Sequence, residues 1–220
     1  MLKSSFYITY AFLMTTGTIT FIEALRTKDP HVRNILNLET CISIVAAFFY
    51  GNFISELYES DDSEKKELTT EDHEKLVKTR YVDWSITTPI MLLVLLMVLV
   101  RNDATQLVPL GKFITVLVLN YIMLGVGFLG ESGKIALGTS NIIGFGAFAS
   151  MFTYIYRNFV KPQFDDKLVF WMFAVVWTFY GVAQMMDPLS RNLAYNVLDL
   201  IAKCFVGIFL WAYFTNVFCV

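Results

Sequence analysis

Apolar residues fill this chain in seven long runs separated by short polar breaks. The runs are Phe6–Leu25, Asn34–Leu57, Tyr81–Val100, Leu107–Leu129, Ile135–Tyr156, Leu168–Met186 and Leu193–Val217. Each is close to the ~20 residues an α-helix needs to cross a hydrocarbon core of ~30 Å. Backbone N–H and C=O groups cannot be left unpaired in lipid, and the runs are too long for barrel strands, so each is predicted to be a helix. The predicted fold class is an all-α membrane protein, a bundle of seven transmembrane helices in the lipid bilayer. No strong internal repeat and no Gly/Ser- or Pro-rich linker interrupts the chain, so residues 1–220 form one domain.

The polar breaks give the bundle a direction. Arg26, Lys28, Arg33, Arg101, Lys112, Arg157, Lys161 and Lys167 fall in or just beyond the first, third and fifth breaks. The second break, Glu59–Lys78, is long and acidic. Basic loops stay in the cytoplasm, which predicts an outside N-terminus and a cytoplasmic C-terminus. The acidic break reads as a solvated cap that can close as a short β-hairpin. Met1–Thr20 lacks a clear basic start and a cleavage site, and is read as the beginning of the first span. Charged residues make up 16% of the chain, against about 25% in soluble domains. A net charge of −2 argues against nucleic acid as a partner. Cys41, Cys204 and Cys219 read as small buried hydrophobes, and neither they nor His73 has metal-ligand spacing.

Charges inside the runs carry the chemistry. Lys203 lies about ten residues into the last run, roughly 15 Å deep and near the bilayer midplane. A charge there costs at least ~2.5–3.5 kcal/mol and needs a named partner. Asp199 is four residues earlier, on the same helix face. In the third run Arg80, Asp83 and Thr87 also share a face, and Pro89 follows to bend the helix. Asp83, Asp199, Arg80 and Lys203 would form a neutral quartet if the helices bring them together. On these residues alone, a functional cluster and an ion pair that merely ties helices together both stand.

The segments R-Y-V-D-W-S-I-T-T-P (80–89) and L-D-L-I-A-K (198–203) resemble those of microbial (type 1) rhodopsins. V-W-T-F-Y-G (176–181) and N-Y-I-M-L-G-V-G (120–127) extend the resemblance across all seven runs. The minimal loops and a glutamate in the second span most resemble rhodopsins of giant viruses that infect algae and protists, which would place the protein in a host-cell membrane. The resemblance implies all-trans retinal, covalently bound to Lys203 as a protonated Schiff base. It casts Asp83 as primary counter-ion and proton acceptor, and Asp199 as the second carboxylate. Arg80 becomes the outward gate that stabilises both, and Thr87 the hydroxyl that bonds the acceptor. Trp84 and Trp177 would sandwich the polyene, with Tyr180 beside them, and Tyr50 would bond Asp199. Met91, Met123 and Gly127 match positions around the chain and ring. Thr88 and Asn120 match an inter-helical hydrogen-bonded pair, for which a purely structural role stands equally.

Departures from the family pattern shape the expectation. Val94 stands where the proton pumps usually carry their cytoplasmic donor carboxylate. Glu39, in the inner half of the second span, is the substitute donor, set against a plain ion pair with Arg33. Glu23 is read as a partner of Arg26 or of a neighbouring subunit. The outer glutamate pair of some pumps has no clear counterpart, and Asp187 and Glu56 are its substitutes. Gly181 replaces a sixth-span proline, and Gly144 and Phe145 occupy the region of a fifth-span tryptophan. The implied function is a light-driven outward proton pump, with a light-gated cation channel as the alternative and a photosensor third. The implied partners are retinal, the transported proton or cations, and other copies of the chain in a trimer or pentamer.

Overall fold

The computed structural model describes residues 2–59, 70–101 and 107–215. Its seven helices are α1 (Leu2–Arg26), α2 (Pro30–Glu59), α3 (Thr70–Leu99), α4 (Leu110–Glu131), α5 (Leu137–Phe159), α6 (Phe164–Gln184) and α7 (Pro188–Thr215). Local sequence sets several of the ends. Asp29 precedes Pro30 and accepts hydrogen bonds from the His31 and Val32 N–H groups at 2.9 and 3.3 Å, which starts α2. Asp187-Pro188 repeats the device at α7, where the Ser190 N–H donates to the Asp187 carboxylate at 3.0 Å. That backbone hydrogen bond holds the Asp187 carboxyl below its ordinary range. Gly133 turns the chain between α4 and α5 at φ 70°, a conformation glycine adopts without a steric cost.

Two helices are irregular. Pro89 lies inside α3 and cannot bond back to the Ser85 carbonyl; the Tyr121 hydroxyl on α4 donates to that carbonyl instead, at 3.1 Å. Helix α7 is π-helical over Leu200–Phe205, between α-helical segments Pro188–Asp199 and Val206–Thr215. Lys203 sits in that wide turn.

Among the described residues six helices are long and apolar enough to cross a membrane, not the seven expected. Helix α5 is diluted by Gly138, Ser140, Asn141, Gly144, Gly146 and Ser150, although its 23 residues would reach about 35 Å. The outer surface is apolar: Ile142, Leu25 and Phe48 are 75%, 71% and 64% exposed. Cys41 is exposed too, contrary to the expectation of burial, because it points out from α2 among such residues. Cys204 is buried, and Cys219 lies outside the described residues. The acidic break is shorter than expected, since 70–78 belong to α3. The expected hairpin lies otherwise at 60–69, outside the described residues.

Packing divides the interior. On the α3–α5–α6–α7 side, the half beyond the π-turn is filled by Val94, Leu95, Leu99, Phe152, Phe173 and Leu210. Helices α1 and α2 meet closely at Gly17, where a Cβ would lie 3.2 Å from the Ser43 Cβ. The buried face of α1 there carries Thr9, Thr16 and Thr20.

Candidate functional site

Helices α3 and α7 bring together charges 120 positions apart. Lys203 Nζ donates to Asp83 Oδ2 at 2.6 Å and lies 3.5 Å from Asp199 Oδ2. All three side chains are at most 1% exposed. The lysine's shortest contact is therefore to the other helix, and its i−4 neighbour comes second. Asp199 is surrounded by donors: Tyr50 at 2.9 Å on Oδ2, with Tyr180 at 2.7 Å and Trp84 Nε1 at 3.3 Å on Oδ1. Arg80 Nη1 adds an ion pair to Asp199 at 3.7 Å. Asp83 has no such shell, and its Oδ1 lacks a hydrogen-bond partner.

Arg80 is aligned on Asp199 rather than shared by both carboxylates. Its Nη2 donates to Asn196 Oδ1 at 2.9 Å and to Asn192 Oδ1 at 3.4 Å. Its guanidinium lies over the rings of Phe53 and Tyr195, 5.1 and 5.4 Å from their centroids. The Asn196 amide continues outward to Ser5 Oγ at 2.8 Å. Two anions and two cations thus share a desolvated cluster, the condition under which such charges persist in low dielectric.

Beside the cluster lies an apolar cavity of about 100 Å³, counted as space open to the centre of a water-sized sphere. A single water needs only about 10–15 Å³ by that measure, so the cavity suits an organic molecule. Trp84, Trp177, Tyr180, Met91, Met123, Gly127 and Thr88 line it, and Lys203 and Asp199 close one part of its wall. Gly144, Phe145 and Gly181 line it as well. A Cβ on Gly181 would lie 2.6 Å from two Phe145 ring atoms, so glycine there lets that ring reach the wall.

The other expected residues take these places. Thr87 Oγ1 donates to the Asp83 backbone carbonyl at 2.9 Å and not to its carboxylate, because in a helix the i−4 carbonyl is within reach of a threonine hydroxyl. Thr88 Oγ1 donates to the Trp84 carbonyl at 2.7 Å and accepts from Asn120 Nδ2 at 2.9 Å. Glu39 is 2% exposed and has no hydrogen bond or ion pair among the described residues. Arg33, its expected alternative partner, instead donates to the Thr27 carbonyl. Glu23 pairs with Arg26 at 3.6 Å. Asp187 is a solvent-facing cap, and the Glu56 side chain lies outside the described residues.

Sequence reasoning missed a second polar centre. Glu131, at the end of α4, accepts from the Tyr81 and Tyr195 hydroxyls at 2.8 and 2.7 Å on Oε1. Arg191 lies 3.7 Å from Oε2. Tyr81 and Tyr195 also line the cavity, so this carboxylate braces its wall across α3, α4 and α7. Asn192 and Asn196 were missed too, although their i, i+4 spacing ahead of Asp199 is a faint signal of a polar face.

Residues 1–217 match the family model described as bacteriorhodopsin-like protein. The crystal structure of viral rhodopsin OLPVRII superposes with a TM-score of 0.89 at 47% identity, covering 98% of each chain. The opsin-like protein carO of Fusarium fujikuroi is 24% identical over 232 residues, 96% of this chain and 73% of that protein. A green-light absorbing proteorhodopsin of Gamma-proteobacterium EBAC31A08 is 26% identical over 151 residues, 60% of this chain and 59% of that protein's length. With a family match that runs through every helix, and a buried lysine held between two carboxylates, the chain belongs to the bacteriorhodopsin-like family of microbial rhodopsins, multi-pass membrane proteins that bind retinal through a lysine.

Proposed function

We propose that this chain is a light-driven outward proton pump, with its N-terminus outside and its C-terminus in the cytoplasm. The observation that carries the reading is the 2.6 Å hydrogen bond from Lys203 Nζ to Asp83 Oδ2 in a desolvated cluster. Retinal fits the adjoining cavity: the walls are aromatic and apolar, and a single amine is presented at one part of them. Bound at Lys203 Nζ, retinal supplies a light-driven isomerisation that changes the direction and proton affinity of that nitrogen.

The side chains supply the rest. Asp83 takes the proton from Nζ, because its Oδ2 is the acceptor nearest that nitrogen. Asp83 rather than Asp199 is the acceptor, because its Oδ1 has no donor aimed at it while both Asp199 oxygens do. Arg80 then shifts its pairing between the carboxylates, and Asn192, Asn196 and Ser5 carry the polar route outward. Val94 is buried and apolar and cannot return a proton. Glu39 is the carboxyl on the inner side of Lys203 that can. The basic loops, expected in the cytoplasm, support this orientation.

Whole-cell voltage clamp under illumination tests this. Outward current that does not reverse near zero voltage is expected, and Asp83→Asn should abolish it. A current that reverses with the ion gradients would replace the pump by a light-gated cation channel, and no current at all would leave a photosensor. Lys203→Ala is expected to lose visible absorbance; covalent retinal in that variant would overturn the whole reading.

A further inference from the structure

Arg80 and Asp83 are one turn apart on α3, a spacing at which an arginine and a carboxylate can pair. They do not pair here. The ion pair of Arg80 is with Asp199 on α7, at 3.7 Å, and Asp83 is left to Lys203. The guanidinium is fully buried, yet its hydrogen bonds to Asn192 and Asn196 engage Nη2 alone. Nε and Nη1 have no hydrogen-bond partner among the described residues. Buried N–H groups are almost always bonded, so something else must stabilise this charge where it stands.

Four aromatic rings stand around it. The guanidinium carbon lies over Phe53, Tyr195, Phe6 and Trp84, at 5.1, 5.4, 5.8 and 5.9 Å from the ring centroids. An arginine within about 6 Å of a ring centroid is attracted by the negative π face, more strongly when both are desolvated. The rings come as two pairs. Phe6 of α1 and Phe53 of α2 are 5.3 Å apart, and Trp84 of α3 meets Tyr195 of α7 edge to face at 4.9 Å. Hydrogen bonds fix the second pair: the Tyr195 hydroxyl donates to Glu131 at 2.7 Å, and Trp84 Nε1 donates to Asp199 at 3.3 Å. Phe6 and Phe53 are each 0% exposed, so the helices that carry them hold the first pair in place.

We infer that Phe6, Phe53 and Tyr195 are positioning residues: with Trp84 they form an aromatic seat that holds the Arg80 guanidinium beside Asp199 and off Asp83. The seat divides the quartet into two pairs, Arg80 with Asp199 and Lys203 with Asp83. Asp83 then faces one cation rather than two, and that cation is the lysine nitrogen. The seat stands on this geometry alone. Its bearing on proton transfer rests on the pump reading above, because it reserves the Asp83 charge for the proton of Nζ.

Two measurements on the full-length protein in lipid test the seat. The first uses retinal-free protein and solid-state NMR distances from the Arg80 guanidinium nitrogens to the Asp83 carboxyl carbon. In the unsubstituted protein Asp83 is expected beyond ion-pair reach, an N···O separation of roughly 4 Å. Phe53→Leu keeps an apolar side chain and removes a π face. It should bring the guanidinium toward Asp83, and Phe6→Leu/Phe53→Leu should bring it within reach, whereas Phe53→Tyr keeps a ring and should not move it. A pair between Arg80 and Asp83 in the unsubstituted protein overturns the seat. So does an unmoved guanidinium in Phe6→Leu/Phe53→Leu, or a Phe53→Tyr variant that moves it as far as Phe53→Leu.

The second is the visible spectrum after retinal is added. Excitation carries positive charge away from Nζ, so a carboxylate facing that nitrogen raises the energy of absorption. A cation drawn to Asp83 weakens this effect. Phe53→Leu should therefore shift the band to longer wavelength, and Phe53→Tyr should leave it in place. In an Arg80→Gln background Phe53→Leu should add little, as residues acting through one group do. An unmoved band in Phe53→Leu, or an equal shift without Arg80, overturns the action of the rings through Arg80. Neither readout needs ion transport, so a channel or a sensor in voltage clamp would remove the pump reading and leave the seat to be decided here.

Discussion

Glu131→Gln isolates the contribution of a charge that no motif announces. The amide is isosteric, and its oxygen can still accept from Tyr81 and Tyr195 at 2.8 and 2.7 Å. What changes is the charge. A hydrogen bond to an ionised group contributes about 1.5–3 kcal/mol and a neutral one about 1, so the two bonds together lose about 1–4 kcal/mol. The Arg191 contact at 3.7 Å is long and its side chain is 12% exposed, so its loss adds little; partly exposed pairs contribute about 0–1 kcal/mol. The sum, about 1–5 kcal/mol, corresponds to a fall in melting temperature on the order of 2–20 °C for a chain of this size. Loss of visible absorbance on heating, in lipid nanodiscs, reads it. Tyr81→Phe/Tyr195→Phe should remove most of the same stability, and combining it with Glu131→Gln should add little. Unchanged melting in Glu131→Gln would show that the carboxylate does not brace the cavity wall, and the reasoning from charge-assisted hydrogen bonds would fail.

Tyr50→Phe removes the donor to Asp199 at 2.9 Å; a loss of about 1.5–3 kcal/mol and a shifted absorption maximum are expected, read by melting and by spectrum. Gly181→Ala would place a Cβ 2.6 Å from the Phe145 ring and push that ring into the cavity, so slower uptake of added retinal is expected, and uptake at the original rate would refute the fit. Lys203→Ala leaves Asp83 and Asp199 buried without their shared cation and should destabilise the retinal-free protein by about 3–5 kcal/mol. Adding Asp83→Asn to it should recover part of that loss in a thermal melt, and no recovery would refute the shared-cation account.

The bundle was legible because lipid solvent leaves helices as the economical answer to long apolar runs. The quartet was legible in part: the i, i+4 spacing puts Asp199 and Lys203 on one face, and the third-span motif supplies Arg80 and Asp83. That Lys203 prefers Asp83 is a fact of helix packing, which spacing within either helix does not contain. Glu131 escaped because it ends an apolar run beside a turn, where a carboxylate reads as a solvated end, and its partners come from two other helices. Thr87 was misread because its own backbone offers a nearer acceptor than a neighbouring carboxylate. Helix α5 fell short of an apolar span for an equally local reason: its small and polar residues make room for Phe145 and bond Gly181 and Gln184 across to α6.

The π-turn at Leu200–Phe205 has a consequence for how the seventh helix is counted. A π-turn is an α-helix with one residue too many, absorbed locally so that both flanks keep their phase. Removing one residue from this turn, Ala202 for instance, would heal it to plain α-helix and leave Pro188–Asp199 and Val206–Thr215 packed as they are. The span would lose nothing it needs to cross the bilayer. What it would lose is the placement of the amine, so the surplus residue measures how far the bundle departs from regular helix to set Lys203 against the Asp83 carboxylate of α3.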